Sequence, residues 1–162
     1  MKSFLLGICI FVTSSVSLVT VQILNRPPEW YLKLHPVETE ADLRGLASKV
    51  AKKFKIDVDL FIALIEVESN FSTEVRSKAG AVGLTQVMPE NAKRVGLSRV
   101  SELWNPYFNL RSGAIILSQE YAKVGNWRGA LKNYLCFDKT VCGGAADAYA
   151  DKVMARVGSK KL

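Results

Sequence analysis

Histidine occurs once in the chain, at His35, and cysteine three times, at Cys9, Cys136 and Cys142. With so few imidazoles and thiols, and no Asp or Glu beside them at ligand spacing, the sequence holds no zinc-type metal site and no Ser–His or Cys–His pair for nucleophilic catalysis. A glycine-rich phosphate loop is missing, and so is a Gly-x-Ser-x-Gly nucleophile elbow. Nucleotide chemistry and α/β-hydrolase chemistry therefore have no support, and no cofactor is implied. Sustained apolar–polar alternation is also missing, which points to a mainly helical domain rather than a sheet. No repeat or low-complexity tract is present. At 162 residues the chain is one domain plus an N-terminal segment.

Charge is absent from Ser3 to Asn25, directly after Lys2. Such a run is either a secretory signal, cut after a small residue such as Ser17, or an uncut anchor, since about 20 apolar residues span a bilayer. Both export the rest of the chain: Lys2 holds the N-terminus in the cytoplasm, although Arg26 just beyond weakens the asymmetry. Residues 1–25 are thus a signal peptide or signal anchor. Cys9 comes after Leu6-Gly7-Ile8, without the longer apolar region and small residue that precede a lipidated cysteine. Residues 26–39, with Pro27, Pro28 and Pro36, form a stiff linker to which His35 belongs. Trp30 and Tyr31 suit a membrane interface or the surface of the domain.

A domain is expected over residues 40–158, with a basic tail at 159–162. Leu43, Leu46, Ala47, Val50 and Phe54 recur at helical spacing. Asp57 caps the next helix. Glu90 to Val95 allows a short helix, ended by Gly96. Asn105-Pro106 is a helix-start pair, opening a long helix to Val124 that Gly125 closes. Trp127 to Leu135 and Ala145 to Val157 make two more.

The segment from Asp57 to Ser69 separates two glutamates. At about 100° per residue, Val58, Leu60, Phe61, Ile62, Leu64, Ile65 and Val67 spread over a wide apolar arc. Glu68 falls near its middle, with Phe61 and Leu64, whereas Asp59 and Glu66 share the polar, solvated side. A carboxylate desolvated in this way has a raised pKa and can serve as a general acid near neutrality. The plain alternative is a glutamate paired with an arginine such as Arg76 or Arg111. A loop comes next, Ser77-Lys78-Ala79-Gly80-Ala81-Val82-Gly83-Leu84-Thr85-Gln86-Val87-Met88-Pro89. Gly80 and Gly83 permit tight backbone turns close to a ligand. Gln86 brings a two-sided amide suited to the hydroxyls and acetamides of a sugar, or the stretch is an ordinary glycine-bearing connection.

Ala63-Leu64-Ile65-Glu66-Val67-Glu68-Ser69-Asn70-Phe71, then Ser77, Gly80-Ala81 and Gly83-Leu84-x-Gln86-Val87-Met88-Pro89, resembles the soluble lytic transglycosylase (SLT) family of the lysozyme superfamily. Asn105-Pro106 with Asn109-Leu110, Gly113 and Leu117, then Asn126-Trp127 with Ala130-Leu131 and Tyr134, are similar to later family segments. Ala148-Tyr149-x-x-Lys152-Val153 is similar to the closing helix. The resemblance implies a lysozyme-like, mainly α domain of the α+β superfamily, with Glu68 in the place of the single catalytic acid. It places Ser77, Gln86, Met88 and Tyr134 along a sugar cleft. One departure stands out: where the family reads Tyr-Asn-x-Gly, this chain has Tyr134-Leu135-Cys136-Phe137.

By this resemblance Glu68 protonates the oxygen between N-acetylmuramic acid and N-acetylglucosamine in peptidoglycan. It then takes the proton of the 6-hydroxyl, closing a 1,6-anhydro ring with help from the substrate acetamide; such assistance is an exception to the two-carboxylate rule. The alternatives are a muramidase that uses water on the same fold, and a non-catalytic wall-binding or assembly module. The net charge of +7 favours anionic partners. In an exported chain without a nucleic-acid motif, that partner is the bacterial wall, a solvated basic face being the simpler account. The place of action is then the periplasm or envelope, at the inner membrane if the anchor is kept. Small domains of this family also open the wall for secretion, conjugation, pilus or phage assemblies. Finally, Cys136 and Cys142 flank five residues, a spacing a disulfide can close in an oxidising compartment. Two unpaired thiols are the alternative.

Overall fold

The computed structural model describes residues 39–136 and 142–159. The signal or anchor expected over 1–25 with Cys9, the linker residues Trp30, Tyr31 and His35, and tail residues 160–162 lie outside the described residues. Among the described residues, no helix is long and apolar enough to cross a membrane.

Five α-helices succeed one another in this part of the chain: α1 (Glu40–Lys53), α2 (Val58–Glu68), α3 (Pro106–Val124), α4 (Trp127–Leu135) and α5 (Gly143–Ser159). Local chemistry sets their starts. Thr39 and Asp42 form a reciprocal capping box on α1. The Asp57 carboxylate accepts the Leu60 N–H at 2.9 Å, and Asn105 accepts from Tyr107 and Phe108 ahead of Pro106. Asn126 caps α4 through the Gly129 N–H at 2.7 Å. Gly125 ends α3 in the left-handed conformation at φ 72°, where a Cβ would be strained.

Helix α2 is the spine of the domain. Its residues from Leu60 to Ile65 are all buried, because α1 covers one side and α5 another. Helix α3 packs on α1 and α4, and α4 on α5. The core fills the space between them with Leu46, Phe61, Leu64, Leu84, Leu110, Leu117 and Leu131, each 1% exposed or less. Sheet structure among the described residues is limited to isolated antiparallel bridges, Arg76 with Val82 and Val82 with Val87, inside the loop after α2.

Two sequence expectations need correction. Glu66 is not solvated: its side chain is 15% exposed and pairs with Arg44 at 2.9 Å, because α1 lies along that side of α2 and supplies the opposite charge. Glu90 to Val95 does not form a helix. Only a 3₁₀ turn, Pro89–Asn91, is present, with turns from there to Gly96. Asn91 and Ala92 are drawn into the interior, and six residues are too few to offset helix nucleation.

Candidate active site

Glu68 is the last residue of α2. The backbone turns sharply behind it, with Asn70 and Phe71 both at positive φ, 48° and 61°. Strained non-glycine residues of this kind persist only when their surroundings hold them. Here Phe71 is buried under the Arg44 guanidinium, 4.3 Å from its ring centre, and Arg44 also grips Glu66 on α2. The Ser69 hydroxyl donates to the Leu84 carbonyl at 2.8 Å, tying the end of α2 to the loop it faces.

Polar groups within that loop and from the helices around it hold it. The Ser77 hydroxyl accepts the Ala81 N–H at 3.0 Å, and Val82 and Val87 exchange backbone hydrogen bonds. The Gln86 amide nitrogen donates to the carbonyls of Gly83 at 2.8 Å and Val75 at 3.3 Å. Gln86 lines the cavity while its amide N–H donors brace the loop. Beneath it, buried Asn109 on α3 accepts the Thr85 N–H at 2.8 Å and donates to the carbonyls of Val82 and Leu103. The two glycines beside this contact leave no room for a side chain. A Cβ at Gly83 would lie 2.4 Å from the Asn109 amide, and one at Gly113 2.5 Å from the Thr85 hydroxyl.

Glu68, Ser77, Gln86, Met88, Tyr134 and Leu135 line a single cavity of ≈ 270 Å³, whose walls are otherwise mainly apolar. Among the described residues that line it, Glu68 is the only carboxyl. Tyr134, from α4, donates its hydroxyl to the Thr85 carbonyl at 2.7 Å. Tyr149, from α5, donates to Glu68 Oε1 at 2.5 Å. Neither Arg76 nor Arg111 pairs with Glu68; Arg111 donates to the Val95 carbonyl. Burial raises the Glu68 carboxyl to about 7, against the smaller opposing effects of the Tyr149 hydrogen bond and the Lys152 charge. Burial, reinforced by the Glu68 charge, raises both tyrosines as well, so each stays a hydrogen-bond donor across the neutral range. The arrangement presents one carboxyl that is half protonated near neutrality, oriented by a phenol, on the wall of an apolar cavity. Among the described residues, no three His, Cys, Asp or Glu side chains gather as a metal site.

Two features of the site go beyond the sequence expectations. Tyr149 is legible in the sequence only as part of the closing helix; its signal is its place among Ala146, Ala150 and Val153, which share the buried face of α5. Leu135 stands on the cavity wall while 43% exposed, directly after Tyr134, where a polar side chain would be cheaper. Cys136, the C-cap of α4, is joined by a disulfide to Cys142, which precedes α5, with the Cα atoms 5.6 Å apart.

The comparisons with known proteins agree with this geometry. The chain is 34% identical over 99 residues to an endo-type membrane-bound lytic murein transglycosylase A of Klebsiella pneumoniae, across 56% of this chain and 48% of that protein. It is 37% identical over 87 residues to a membrane-bound lytic murein transglycosylase C of Actinobacillus pleuropneumoniae, across 47% of this chain and 24% of that protein. The chain thus spans about half or less of the length of these relatives. An inactive mutant of the lytic transglycosylase Slt of Pseudomonas aeruginosa shares the fold, with a TM-score of 0.62 at 24% identity over 72% of this chain and 24% of that one. The model of the Transglycosylase SLT domain matches residues 45–148, with Glu68 and both tyrosine-bearing segments inside or at the edge of the match, and the chain belongs to that family.

Proposed function

We propose that the chain is a peptidoglycan lytic transglycosylase in which Glu68 acts first as acid and then as base. The observation that carries this is the isolation of Glu68: one carboxyl, raised to about 7, on a cavity with no second carboxyl among the described residues that line it. A hydrolase of the usual kind needs a second carboxylate about 5–9 Å away to attack or to activate water. With one carboxyl, a nucleophile supplied by the substrate itself completes the reaction without a second catalytic group.

In the first step Glu68 donates its proton to the oxygen between N-acetylmuramic acid and N-acetylglucosamine, and the C–O bond breaks. The substrate's acetamide oxygen shares the positive charge at the anomeric carbon. Glu68, now ionised, removes the proton of the 6-hydroxyl of the same muramic residue, and that oxygen closes the 1,6-anhydro ring. The proton balance returns Glu68 to its starting form without water. Tyr149 keeps the carboxyl aimed, and its hydrogen bond strengthens as charge develops on the oxygen. Ser77, Gln86 and Tyr134 keep the loop and wall in register, and Met88 contributes an apolar, adaptable contact for the sugar.

The site of action is the cell envelope. Residues 3–25 deliver the domain across the inner membrane and hold it there if they are not removed. The work suits local opening of the wall for an assembly that passes through it, and a relative from the bacteriophage PRD1, described as a transglycosylase, is 29% identical over 106 residues. Digestion of purified peptidoglycan with mass spectrometry of the products decides the reaction. Products ending in 1,6-anhydromuramic acid support it. Reducing muramic ends would establish a muramidase, and an intact wall would leave a binding module.

A further inference from the structure

Helix α5 carries Tyr149, the phenol on Glu68, yet little of that helix is built to hold it in place. The fully buried residues on its core face are Ala146, Ala150 and Val153, which remove far less apolar area from water than the Leu, Ile and Phe side chains that seat α2. Its ion pairs to α4 are Arg128 with Asp147 and Asp151, and Lys132 with Asp147, all between side chains 37–62% exposed. Pairs so exposed hold little. Its first turn opens on Gly143-Gly144, where an added Cβ would meet nothing within 4 Å, so these two residues bring neither helix propensity nor packing. A covalent tie is added at the start of α5. Cys136 ends α4 and Cys142 precedes α5. Tyr134 lies two residues before the first cysteine, and Tyr149 about two helical turns after the second.

We infer that the Cys136–Cys142 disulfide is a positioning element of the Glu68 site: it seats α5 against α4, keeps Tyr149 on the carboxyl, and makes full activity depend on oxidation of the two thiols. Closing the bridge joins the two sulfurs, releases two protons and passes two electrons to a disulfide-bearing oxidant, which leaves as a dithiol. The titratable groups facing Glu68 are Tyr149 and Lys152 from α5 and Tyr134 from α4. With the bridge open, the first turns of α5 fray, Tyr149 leaves, and water reaches Glu68. Relief of burial lets the carboxyl titrate lower, so its acid form becomes scarce at neutral pH. The inference rests on Glu68 being the catalytic acid, and its test separates the two ideas.

The full-length chain is compared in three forms: oxidised, reduced with dithiothreitol, and Cys136→Ser/Cys142→Ser. The readouts are the NMR titration of the Glu68 carboxyl, amide hydrogen exchange along α5, and the pH profile of wall cleavage. On reduction we expect the Glu68 titration and the alkaline limb of the rate to move down together by about one pH unit or more. A shift of one unit from about 7 cuts the acid form, and with it kcat, roughly fivefold at neutral pH, with KM little changed. Exchange should quicken in α5 and not in α1 to α3, and reoxidation should restore the wild type but not the double serine variant. An unchanged Glu68 titration with unchanged exchange in α5 overturns the inference, as does melting of the whole domain on reduction, which would make the bridge a global staple. If the oxidised chain leaves the wall uncut while reduction still moves the Glu68 titration, the transglycosylase reading fails and the positioning role stands.

Discussion

Replacing Glu68 by glutamine should abolish cleavage and also make the domain more stable, in a way that depends on pH. The carboxyl is raised from an ordinary 4.5 to about 7, chiefly by burial. At about 1.4 kcal/mol per pH unit, ionising it inside the fold costs about 3 kcal/mol. The folded state binds this proton more tightly than the unfolded chain. The penalty is therefore absent below pH 4.5, grows as pH rises toward 7, and is complete above it. Glu68→Gln keeps the shape and still accepts the Tyr149 hydroxyl, but it has no proton to lose. The difference in unfolding free energy, variant minus wild type, should be near zero at about pH 4 and reach about 3 kcal/mol in favour of the variant by about pH 8. Urea unfolding of both proteins at half-unit steps of pH measures this directly, and every other titrating group cancels in the difference. A difference that stays flat, or that favours the wild type as pH rises, would refute the buried-acid account. Activity gives the second half of the test, since loss of a general acid removes about 10²–10⁴-fold or more in rate.

Glu66→Gln, two residues away, should leave the rate within about twofold while costing about 1 kcal/mol, the scale of a partly exposed pair with Arg44; comparing the two variants on one wall preparation checks it. Tyr149→Phe removes a hydrogen bond that lowers the Glu68 pKa without opening the cavity. The alkaline limb of the pH–rate profile should then move up, the opposite of the shift on opening the disulfide, while the maximal rate falls about tenfold from lost aim. Gly113→Ala forces a Cβ onto Thr85, whose hydroxyl is pinned to Asn109, so chemical denaturation should show a loss of about 1–3 kcal/mol, with cleavage weakened because the Thr85 carbonyl holds Tyr134.

Much of this site was legible because much of it is local. The Asp57 cap, the apolar arc of α2 and the Asn105-Pro106 start depend on neighbours within about four residues, and a wheel captures them. The wheel misjudged Glu66 for the same reason: Arg44 reaches it from another helix, 22 residues away in sequence. Gln86 lines the cavity as its pattern suggested, but that its amide nitrogen also holds the Gly83 and Val75 carbonyls is something no spacing rule announces. The contact from Tyr149 to Glu68 spans 81 residues and exists only once α5 is laid on α2. Long-range pairing of this kind leaves in the sequence a tyrosine on an alanine-lined face and nothing more.

Asn109 uses its whole side chain. The oxygen accepts from the Thr85 amide and hydroxyl, and the nitrogen donates to the Val82 and Leu103 carbonyls. Hydrolysis of that one amide to a carboxylate, the ordinary chemical ageing of asparagine, would leave the volume of the side chain almost unchanged. It would also turn two donors into an anionic oxygen facing two carbonyl oxygens, in a buried site where such a clash is costly. The fold protects against this by burying Asn109 in the first turn of α3, where the backbone cannot adopt the cyclic geometry the reaction needs. The lifetime of the loop is thus tied to how seldom α3 frays, so a heat-aged sample should accumulate deamidated and inactive chains in step.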